Sequence, residues 1–543
     1  MAQRKDGGDA VLEALRKLDV DYIISSPGSE WPSVWEALAR QVINEEPGPK
    51  YINTWHETLA VAMAQGYTRM TGRMQAVLLH AGVGVLQGSM GIHGAFQGEI
   101  PMLVASGETS TYGEADGFDP GPQWLRNLSI VGGPNRLVEG ITKWSSRVTS
   151  AEVIYETFSR AGEMAQRTPM GPTFLNVPME TMLEEWTPPA KFKNKPVAPK
   201  TRPESSVVEE IADLIIRSKS PVILADSAGK NKEGFLALVA LAETLNIPVF
   251  ESEGPGYSNF PTSHPLHNGY DLKPKYAEFD LFLVVGCRAP WYPASASPAN
   301  GTVVIIDENP IKEFMVYQDL GADHYLEGDL ALSLELLTEA IKANGGKAND
   351  YAGNGDVWEK YRAVSDSASS ASPIDPGVLC NALNENMPSN AIYIDETIVH
   401  RTQILRRINR DNPQSYLRPI GGLGQGLGTH QNHSQLGFQF LLEFFSLFRG
   451  CIQRLSALIE DQCHHGFGDN PGFRKGFVLF VGKPAKVVGQ LRYEMVDFGF
   501  HRRPERLGYA GALPQHQAEQ VGVVTQVLHE GVHRSGNRTA VPG

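Results

Sequence analysis

The sequence predicts an α/β fold made of three doubly wound parallel-sheet domains, of which the third is incomplete. Short apolar runs alternate with segments of helical periodicity, which is the rhythm of β-α-β units. The apolar runs are rich in Val, Ile and Leu, as in parallel strands that are buried on both faces. Two polar stretches interrupt this rhythm and divide the chain into three.

The first predicted domain covers residues 1–187 and the second covers residues 205–345, with a linker rich in proline and lysine at 188–204. A second, polar linker is predicted at 346–372 and the third domain at 373–428. The predicted strands of the first two domains are DYIISSPGS, QAVLLHAG, IPMLVASG and GPTFLNVP, then PVILAD, PVFES, LFLVVG and TVVIID. The third domain begins with DPGVLCNALNENMPSNAIYIDE and leads into GGLGQGLG.

The composition argues against several classes of protein. A net charge of −13 argues against non-specific nucleic-acid binding. The four cysteines lack CxxC spacing, which argues against a disulfide framework or a zinc site and fits a reducing cytoplasm. The N-terminal segment lacks the apolar core of a signal peptide, and no apolar run reaches the roughly 18 residues of a membrane span. We therefore expect a cytoplasmic protein without nucleic-acid or membrane partners.

Three predicted strands end in polar, glycine-containing turns, where open parallel sheets carry ligand sites. The residues at these ends are Ser26, Gly28 and Ser29; His80, Gly82 and Gly84; and Ser106, Gly107 and Glu108. For the glycines a simple tight turn is a strong alternative, and His80 taken alone is more typical of a core histidine. The glycine-dense GGLGQGLG lacks the spacing GxGxxG, so it does not predict a dinucleotide site, although its amides could approach a phosphate.

One further carboxylate stands at the start of an apolar helix. In YINTWHETLAVAMAQGYTRMTGR, Glu57 lies in the first turn, where a carboxylate suits the positive end of the helix dipole. On its own, this position is typical of an acidic first turn on a core helix.

Taken together and in order, these segments resemble a known family. SPGS follows the first strand, His56 and Glu57 precede a helix ending GYTRMTGR, and HAGVGVLQGSMGIHGAFQGEIPMLVASGE follows. GPTFLNVP closes the first domain, and IYIDETIVH with GGLGQGLG opens the third. Over roughly residues 8–428 the chain resembles the thiamine diphosphate-dependent enzymes of the acetolactate synthase, benzoylformate decarboxylase and pyruvate oxidase type. The resemblance implies a pyrimidine-binding, a central and a diphosphate-binding domain.

The resemblance also implies roles for particular residues. Glu57 would hydrogen-bond a ring nitrogen of the cofactor's aminopyrimidine and so favour loss of the thiazolium C2 proton. Ser29 would bind the substrate carboxylate and His80 would relay protons, which modestly favours the benzoylformate decarboxylase branch, although a structural His80 stays open. Gln123 belongs to FDPGPQWLRN, which is either a substrate-side loop or an ordinary surface loop. The further cofactor-binding residues expected are Gly82, Glu396, Thr397, Gly422 and Gly424.

The implied function is decarboxylation of a 2-oxo acid with thiamine diphosphate and Mg²⁺, with or without carboligation. An acetolactate synthase-like carboligase is the first alternative, and a catalytically impaired relative is the second. The resemblance implies a homodimer or homotetramer, because the family's active site lies between two subunits. No residue demands FAD, so we do not expect that cofactor.

The segment from Thr429 to Gly543 departs from the family. It carries 12 Lys and Arg against 9 Asp and Glu, holds 8 of the 15 histidines, and loses the periodicity. The GDG and asparagine that would supply metal ligands are missing, and Asp469 has no strand before it, so no metal ligand is assigned. We interpret this tail as a shifted reading frame or foreign sequence, with a divergent domain as the alternative. We accordingly expect weak or no cofactor binding and a poorly folded tail.

Overall fold

The computed structural model describes residues 5–426, apart from Pro27 and residues 112–118, 120–129, 352–356, 364, 366–373 and 423. Every described residue belongs to one compact unit. The tail predicted at 429–543 therefore lies outside the described residues. Within the described part of the chain, no helix has both the length and the apolar character of a membrane span.

The first sheet has six parallel strands in the order β2-β1-β3-β4-β6-β5. Its strands are β1 Tyr22–Ser25, β2 Lys50–Asn53, β3 Gln75–Leu79, β4 Met102–Glu108, β5 Trp144–Arg147 and β6 Pro172–Pro178. Its helices are α1 Gly7–Lys17, α2 Pro32–Ile43, α3 Glu57–Thr71, α4 Val83–Gln97, α5 Pro134–Leu137, α6 Ile154–Ala165 and α7 Met179–Leu183. Strands β3, β4 and β6 are buried along their whole length, because one apolar cluster packs on each face of the sheet.

The second sheet has five parallel strands in the order β11-β10-β9-β7-β8. Its strands are β7 Pro221–Ala225, β8 Val249–Glu251, β9 Leu281–Val285, β10 Thr302–Asp307 and β11 His324–Glu327. Helices α8 Ser205–Arg217, α9 Lys232–Leu245 and α10 Leu330–Ala343 contribute to the larger apolar cluster on this sheet. The predicted α/β class, with parallel sheets in more than one domain, is confirmed.

The described residues after 356 form a small third group of elements. They are α11 Val357–Arg362, α12 Pro376–Asn386, β12 Tyr393–Ile394, α13 Arg401–Arg407 and β13 Tyr416–Leu417, with β12 and β13 paired in parallel. Part of the predicted second linker is thus helical. Its Trp358 is buried and its ring lies 5.2 Å from that of His267, so one large aromatic residue anchors a polar stretch.

The first predicted linker also contacts the body of the protein. Phe192 packs against Tyr155 and Trp186 of the first domain. The Lys195 amide donates a hydrogen bond to the Lys17 carbonyl at 3.1 Å. The chain between the two sheets therefore contacts the C-terminal end of α1.

Helices α3 and α4 approach closely because α4 presents glycines to α3. A Cβ atom added at Gly91 would lie 2.6 Å from Val61 Cγ1, and one added at Gly88 would lie 3.3 Å from Val61 Cγ2. Real Cβ atoms do not approach carbon atoms as closely as 2.6 Å, and the short branched side chain of Val61 has little freedom to move away. The separation of the two helices therefore depends on these glycines.

A buried ion pair joins the third group of elements to the second sheet. Arg410 and Glu251 are both fully buried, and the Arg410 guanidinium donates to the Glu251 carboxylate at 2.6 Å. The His267 ring accepts from the Gly269 amide at Nδ1, so its Nε2 carries the proton and faces the same carboxylate at 3.2 Å. Burial alone would raise the pKa of Glu251, but Arg410 and the hydrogen bond from His267 lower that pKa to about 2.

We expect Gly91→Val to lower the free energy of unfolding by about 1–3 kcal/mol, because the new side chain must push α3 away from α4. Glycine and valine differ little in helix propensity, so the loss reports packing. Urea denaturation measures it. The control is Gly140→Val, since nothing lies within 4 Å of a Cβ added at exposed Gly140. Equal losses in the two variants would contradict the close-packing argument.

We expect Arg410→Met to cost about 3–5 kcal/mol, because it leaves the Glu251 carboxylate buried without its cation. The double variant Arg410→Met with Glu251→Gln should recover part of that loss. Since the pKa of Glu251 is lowered from 4.5 to about 2, its stabilisation is present above pH 4.5 and is lost as the pH falls toward 2. Urea denaturation at pH 7 and at several values below pH 4.5 measures both effects. A double variant no more stable than the single one would contradict this assignment.

Candidate active site

The carboxyl ends of β1 and β3 form a crevice at a switch point of the first sheet. The chain leaves β1 for β2 on one side and returns to β3 on the other, and ligands of open α/β sheets bind at such points. Residues 26–31 follow β1 and residues 80–84 follow β3. The Trp31 indole, fully buried, donates to the Leu79 carbonyl at 2.9 Å and holds the first turn over the end of β3.

Glu57 and His80 both lie close to one glycine at this crevice. Glu57 is half-buried and begins α3, and Gly84 lies in the first turn of α4. A Cβ atom added at Gly84 would lie 3.1 Å from the His80 Cβ and 3.3 Å from the Glu57 carboxylate oxygen Oε1. Gly82, at the N-cap of α4, has a φ of 46°, a conformation that glycine adopts most easily. Two residues singled out from the sequence are therefore brought together.

His80 is paired with a buried carboxylate that the sequence analysis did not single out. The His80 Nδ1 lies 2.8 Å from the carboxylate of Glu30, whose side chain has no exposed area. The Ala81 amide also lies 2.8 Å from Nδ1. Donation from Nδ1 to Glu30 defines one tautomer of the ring, and acceptance from Ala81 defines the other. The sequence signal for Glu30 is slight: one acidic residue in SPGSE, directly before the helix that starts at Pro32.

Two glycines make room for this pair. A Cβ atom at Gly28 would overlap both the Glu30 carboxylate and the His80 ring, and one at Gly107 would overlap the Glu30 Cβ. The turn after β1 therefore closes directly over the pair, and Ser29, which follows Gly28, remains exposed. Ser29, Glu30, Glu57, His80 and Gly82 form the strand-end group.

At the third polar strand end, that of β4, the carboxylate is paired with other side chains of the protein. Glu108, at the end of β4, is buried and lies 2.6 Å from Arg147 and 2.6 Å from the Asn176 amide nitrogen. Burial raises the pKa of Glu108, and Arg147 offsets only part of that effect. These contacts join the ends of β4, β5 and β6, so this carboxylate already has protein partners.

The expected cofactor residues of the third domain form a second group, which we call the loop group: Glu396, Thr397, Gly422 and Gly424. The Gln425 amide donates to the Glu396 carboxylate at 2.7 Å, which brings the glycine-rich segment over β12. The Thr397 hydroxyl instead donates to the Asp395 carboxylate at 2.7 Å. Gly424 has a φ of 76°. Their roles toward a cofactor stay predictions.

Within one chain the strand-end group and the loop group do not meet. A Cβ atom added at Gly422 would lie 2.6 Å from Met90 Cγ, whereas Glu57 lies against Gly84. Met90 is six residues beyond Gly84 along α4, which is a rise of about 9 Å. The two groups therefore lie at different positions along the same helix.

The described residues fit one end of thiamine diphosphate better than the other. A half-buried carboxylate over a glycine turn, beside a histidine, is a suitable cradle for a polar heteroaromatic ring. Across the described ranges, no three His, Cys, Asp or Glu side chains converge as metal ligands. Asp395, at the end of β12, already accepts from Tyr416 and Arg418. Gln123, expected at the substrate side, lies outside the described residues.

Two known proteins are similar to this chain in sequence. The benzoylformate decarboxylase of Pseudomonas aeruginosa is 26% identical over 436 residues, which cover 77% of this chain and 76% of that enzyme. The acetolactate synthase large subunit of Haemophilus influenzae is 24% identical over 298 residues, which cover 53% of this chain and 49% of that protein. The chain thus spans about three quarters of the first relative and about half of the second.

Solved structures share the fold. A thiamine diphosphate-dependent 4-hydroxybenzoylformate decarboxylase of Rhodococcus jostii superposes with a TM-score of 0.65 at 22% identity, over 80% of this chain and 79% of that one. Benzoylformate decarboxylase of Polynucleobacter necessarius superposes with a TM-score of 0.63 at 22% identity, over 80% and 78%.

Two family domains also match this chain. Residues 5–127 match the N-terminal TPP binding domain of thiamine pyrophosphate enzymes, and residues 208–337 match their central domain. The first match includes the whole strand-end group, and the second includes all five strands of the second sheet. The chain therefore carries the N-terminal and central domains of the thiamine diphosphate-dependent enzymes.

Proposed function

We propose that this chain binds thiamine diphosphate and decarboxylates a 2-oxo acid in the manner of a benzoylformate decarboxylase, with or without carboligation. The observation that carries the proposal is the convergence of Glu57 and His80 on Gly84 at the switch point of the first sheet. A carboxylate for the cofactor and a proton carrier for the substrate then line one crevice. An acetolactate synthase-like carboligation is the alternative outcome of the same arrangement.

Bound thiamine diphosphate would supply the electron sink that decarboxylation of a 2-oxo acid requires. Glu57 would exchange a proton with a ring nitrogen of the pyrimidine, since a carboxylate in a half-buried site makes a strong hydrogen bond to such a nitrogen. Gly84 and Gly82 would let the ring approach the protein backbone.

His80 would move the substrate proton. With Nδ1 held by Glu30 at 2.8 Å, Nε2 is the ring nitrogen that we propose exchanges that proton. Glu30 would act as a positioning residue, because it is buried and orients the ring without facing the crevice itself. Ser29, exposed at the same turn, would donate a hydrogen bond to the substrate carboxylate.

A second candidate is a relative that keeps the fold and has lost catalysis. Its support is that no metal-ligand cluster occurs among residues 5–426 as far as they are described. Mg²⁺ would then find no acidic cluster on this part of the chain through which to hold the diphosphate. Cofactor binding separates the two candidates.

We further propose that the chain works as a homodimer. In one chain the strand-end and loop groups lie about 9 Å apart along α4, and the family resemblance implies that a complete site takes the loop group of a second copy. Val83, Leu86 and Met90 recur at helical spacing on α4 and are 46%, 57% and 38% exposed. A second copy would cover this apolar stripe. The cytoplasmic location stays a prediction, in keeping with the buried free thiols of Cys287 and Cys380.

The test of function combines binding and turnover. The missing metal motif predicts weak or no binding, whereas the proposal requires a saturable calorimetric signal for thiamine diphosphate with Mg²⁺ and release of carbon dioxide from benzoylformate. We expect Glu57→Gln to lower that turnover by about 100-fold or more, because an amide cannot exchange the proton.

The control is Glu36→Gln, an exposed carboxylate of α2 that should leave turnover unchanged. A Glu57→Gln variant as active as this control would refute the role of Glu57. An unmutated chain that gives no saturable heat would instead favour the impaired relative.

Leu86→Glu should shift the chain from dimer to monomer, because it places a charge in the apolar stripe of α4. Analytical ultracentrifugation over a range of protein concentrations measures the mass. Val316→Glu is the matched control, since Val316 is a fully exposed apolar residue outside α4. A dimer as stable in Leu86→Glu as in Val316→Glu would contradict this interface.

A further inference from the structure

Gln65 lies on the face of α3 that also carries Glu57. Residues 57, 61, 65 and 69 follow at four-residue spacing and line one side of the helix. At this face Glu57 lies over Gly84 and Val61 over Gly91, so Gln65 comes next along the contact with α4. A buried glutamine in this row is unusual, because a polar amide needs partners away from water.

Both amide protons of Gln65 have partners, and one of them belongs to the third group of elements. Its Nε2 donates to the Gly91 carbonyl at 2.7 Å and to the Gln425 side-chain oxygen at 3.1 Å. Gln65 is 4% exposed and Gln425 is 1% exposed. A buried amide without a hydrogen-bond partner is destabilised by the cost of its desolvation. The hydrogen bond between Gln65 and Gln425 therefore specifies where Gln425 lies.

Gln425 belongs to the glycine loop, by which we mean residues 420–422 and 424–426. Three contacts seat this loop on the two helices. Gln425 meets Gln65, Gly422 lies over Met90, and a Cβ atom at Gly94 would overlap the Ile420 carbonyl. The same residue, Gln425, donates its backbone amide to Glu396 at 2.7 Å. The position of Gln425 thus sets both the loop and the carboxylate beneath it.

We propose that Gln65 is a positioning residue that sets the height of the glycine loop on α3 and α4, and through it the place where the cofactor's diphosphate is held. It acts through Gln425 and touches neither substrate nor cofactor. The position of the glycine loop is argued from the contacts above. Only the identity of its ligand, the diphosphate, rests on the proposed function.

The competing explanation is that the packing of Gly94 and Gly422 alone fixes the position of the glycine loop. Gln65→Met separates the two, because methionine fills a similar volume but donates no hydrogen bond. The matched control is Gln41→Met, in α2 of the same domain. Gln41 is also buried, donates to the Pro49 carbonyl at 3.0 Å and accepts from Arg16, yet no contact joins it to the glycine loop.

Hydrogen–deuterium exchange of the full chain, without cofactor, tests whether Gln65 holds the glycine loop in place. We expect peptides that cover residues 416–426 to exchange about tenfold faster in Gln65→Met than in the unmutated chain, and to be unchanged in Gln41→Met. The two variants should melt at similar temperatures. Equal exchange in the two variants would overturn the proposal, since packing alone would then hold the loop.

Calorimetry with Mg²⁺ tests the consequence for binding. We expect Gln65→Met and Gln425→Met each to weaken thiamine diphosphate about tenfold, and the double variant to be no weaker than either. Thiamine, which lacks the diphosphate, should bind all variants equally, an outcome that a general loss of structure would not give. Faster exchange with unchanged affinity would overturn the link to the diphosphate. No binding to the unmutated chain would overturn the proposed function, while the exchange result would still decide the role of Gln65.

Discussion

The three parts of the described chain meet at one guanidinium. Arg69, 5% exposed near the end of α3, donates to the Arg418 carbonyl at 2.8 Å and to the Gly256 carbonyl at 2.7 Å. The Cζ atom of Arg69 also lies 4.4 Å from the centre of the Tyr257 ring. Because the guanidinium is planar and its donors are fixed relative to one another, it holds both carbonyls in one geometry. A single side chain therefore contacts the first domain, the second domain and the third group of elements at once.

The site depends on this junction through α3. Glu57 begins the helix and Arg69 lies twelve residues later, a rise of about 18 Å. Between them Val61 and Gln65 press on the glycines of α4, so the helix has close neighbours along this face. Closely packed interiors transmit displacement instead of absorbing it. A shift at the junction would therefore reach the carboxylate at the crevice.

Much of this arrangement could be predicted from the sequence, for reasons that are local. Strands such as QAVLLHAG alternate with helices at clear spacing, and the order of SPGS, Glu57 and His80 carries the family resemblance. Glu30 could not be found in this way, because one acid in a turn is usually a solvated residue. The pairing of Gln65 with Gln425 joins residues 360 positions apart, and no periodicity reports such a contact. The contacts of Phe192 and Trp358 could not be predicted for a related reason, since each residue lies in a polar stretch without apolar periodicity.

The buried pair of Glu251 and Arg410 has a consequence for the order in which the chain folds during synthesis. The two residues are separated by 159 positions, so at about 5–20 residues per second the ribosome makes Arg410 roughly 8–30 seconds after Glu251. For that interval the carboxylate at the end of β8 has no cation to bury against, and β8 is the edge strand of its sheet. The backbone edge of β8 is already hydrogen-bonded to residues 266–269 of the same domain, so it is the Glu251 side chain alone that waits for Arg410. A nascent chain of this protein would thus pass through a stage in which the Glu251 carboxylate lacks its cation and is open to chaperones.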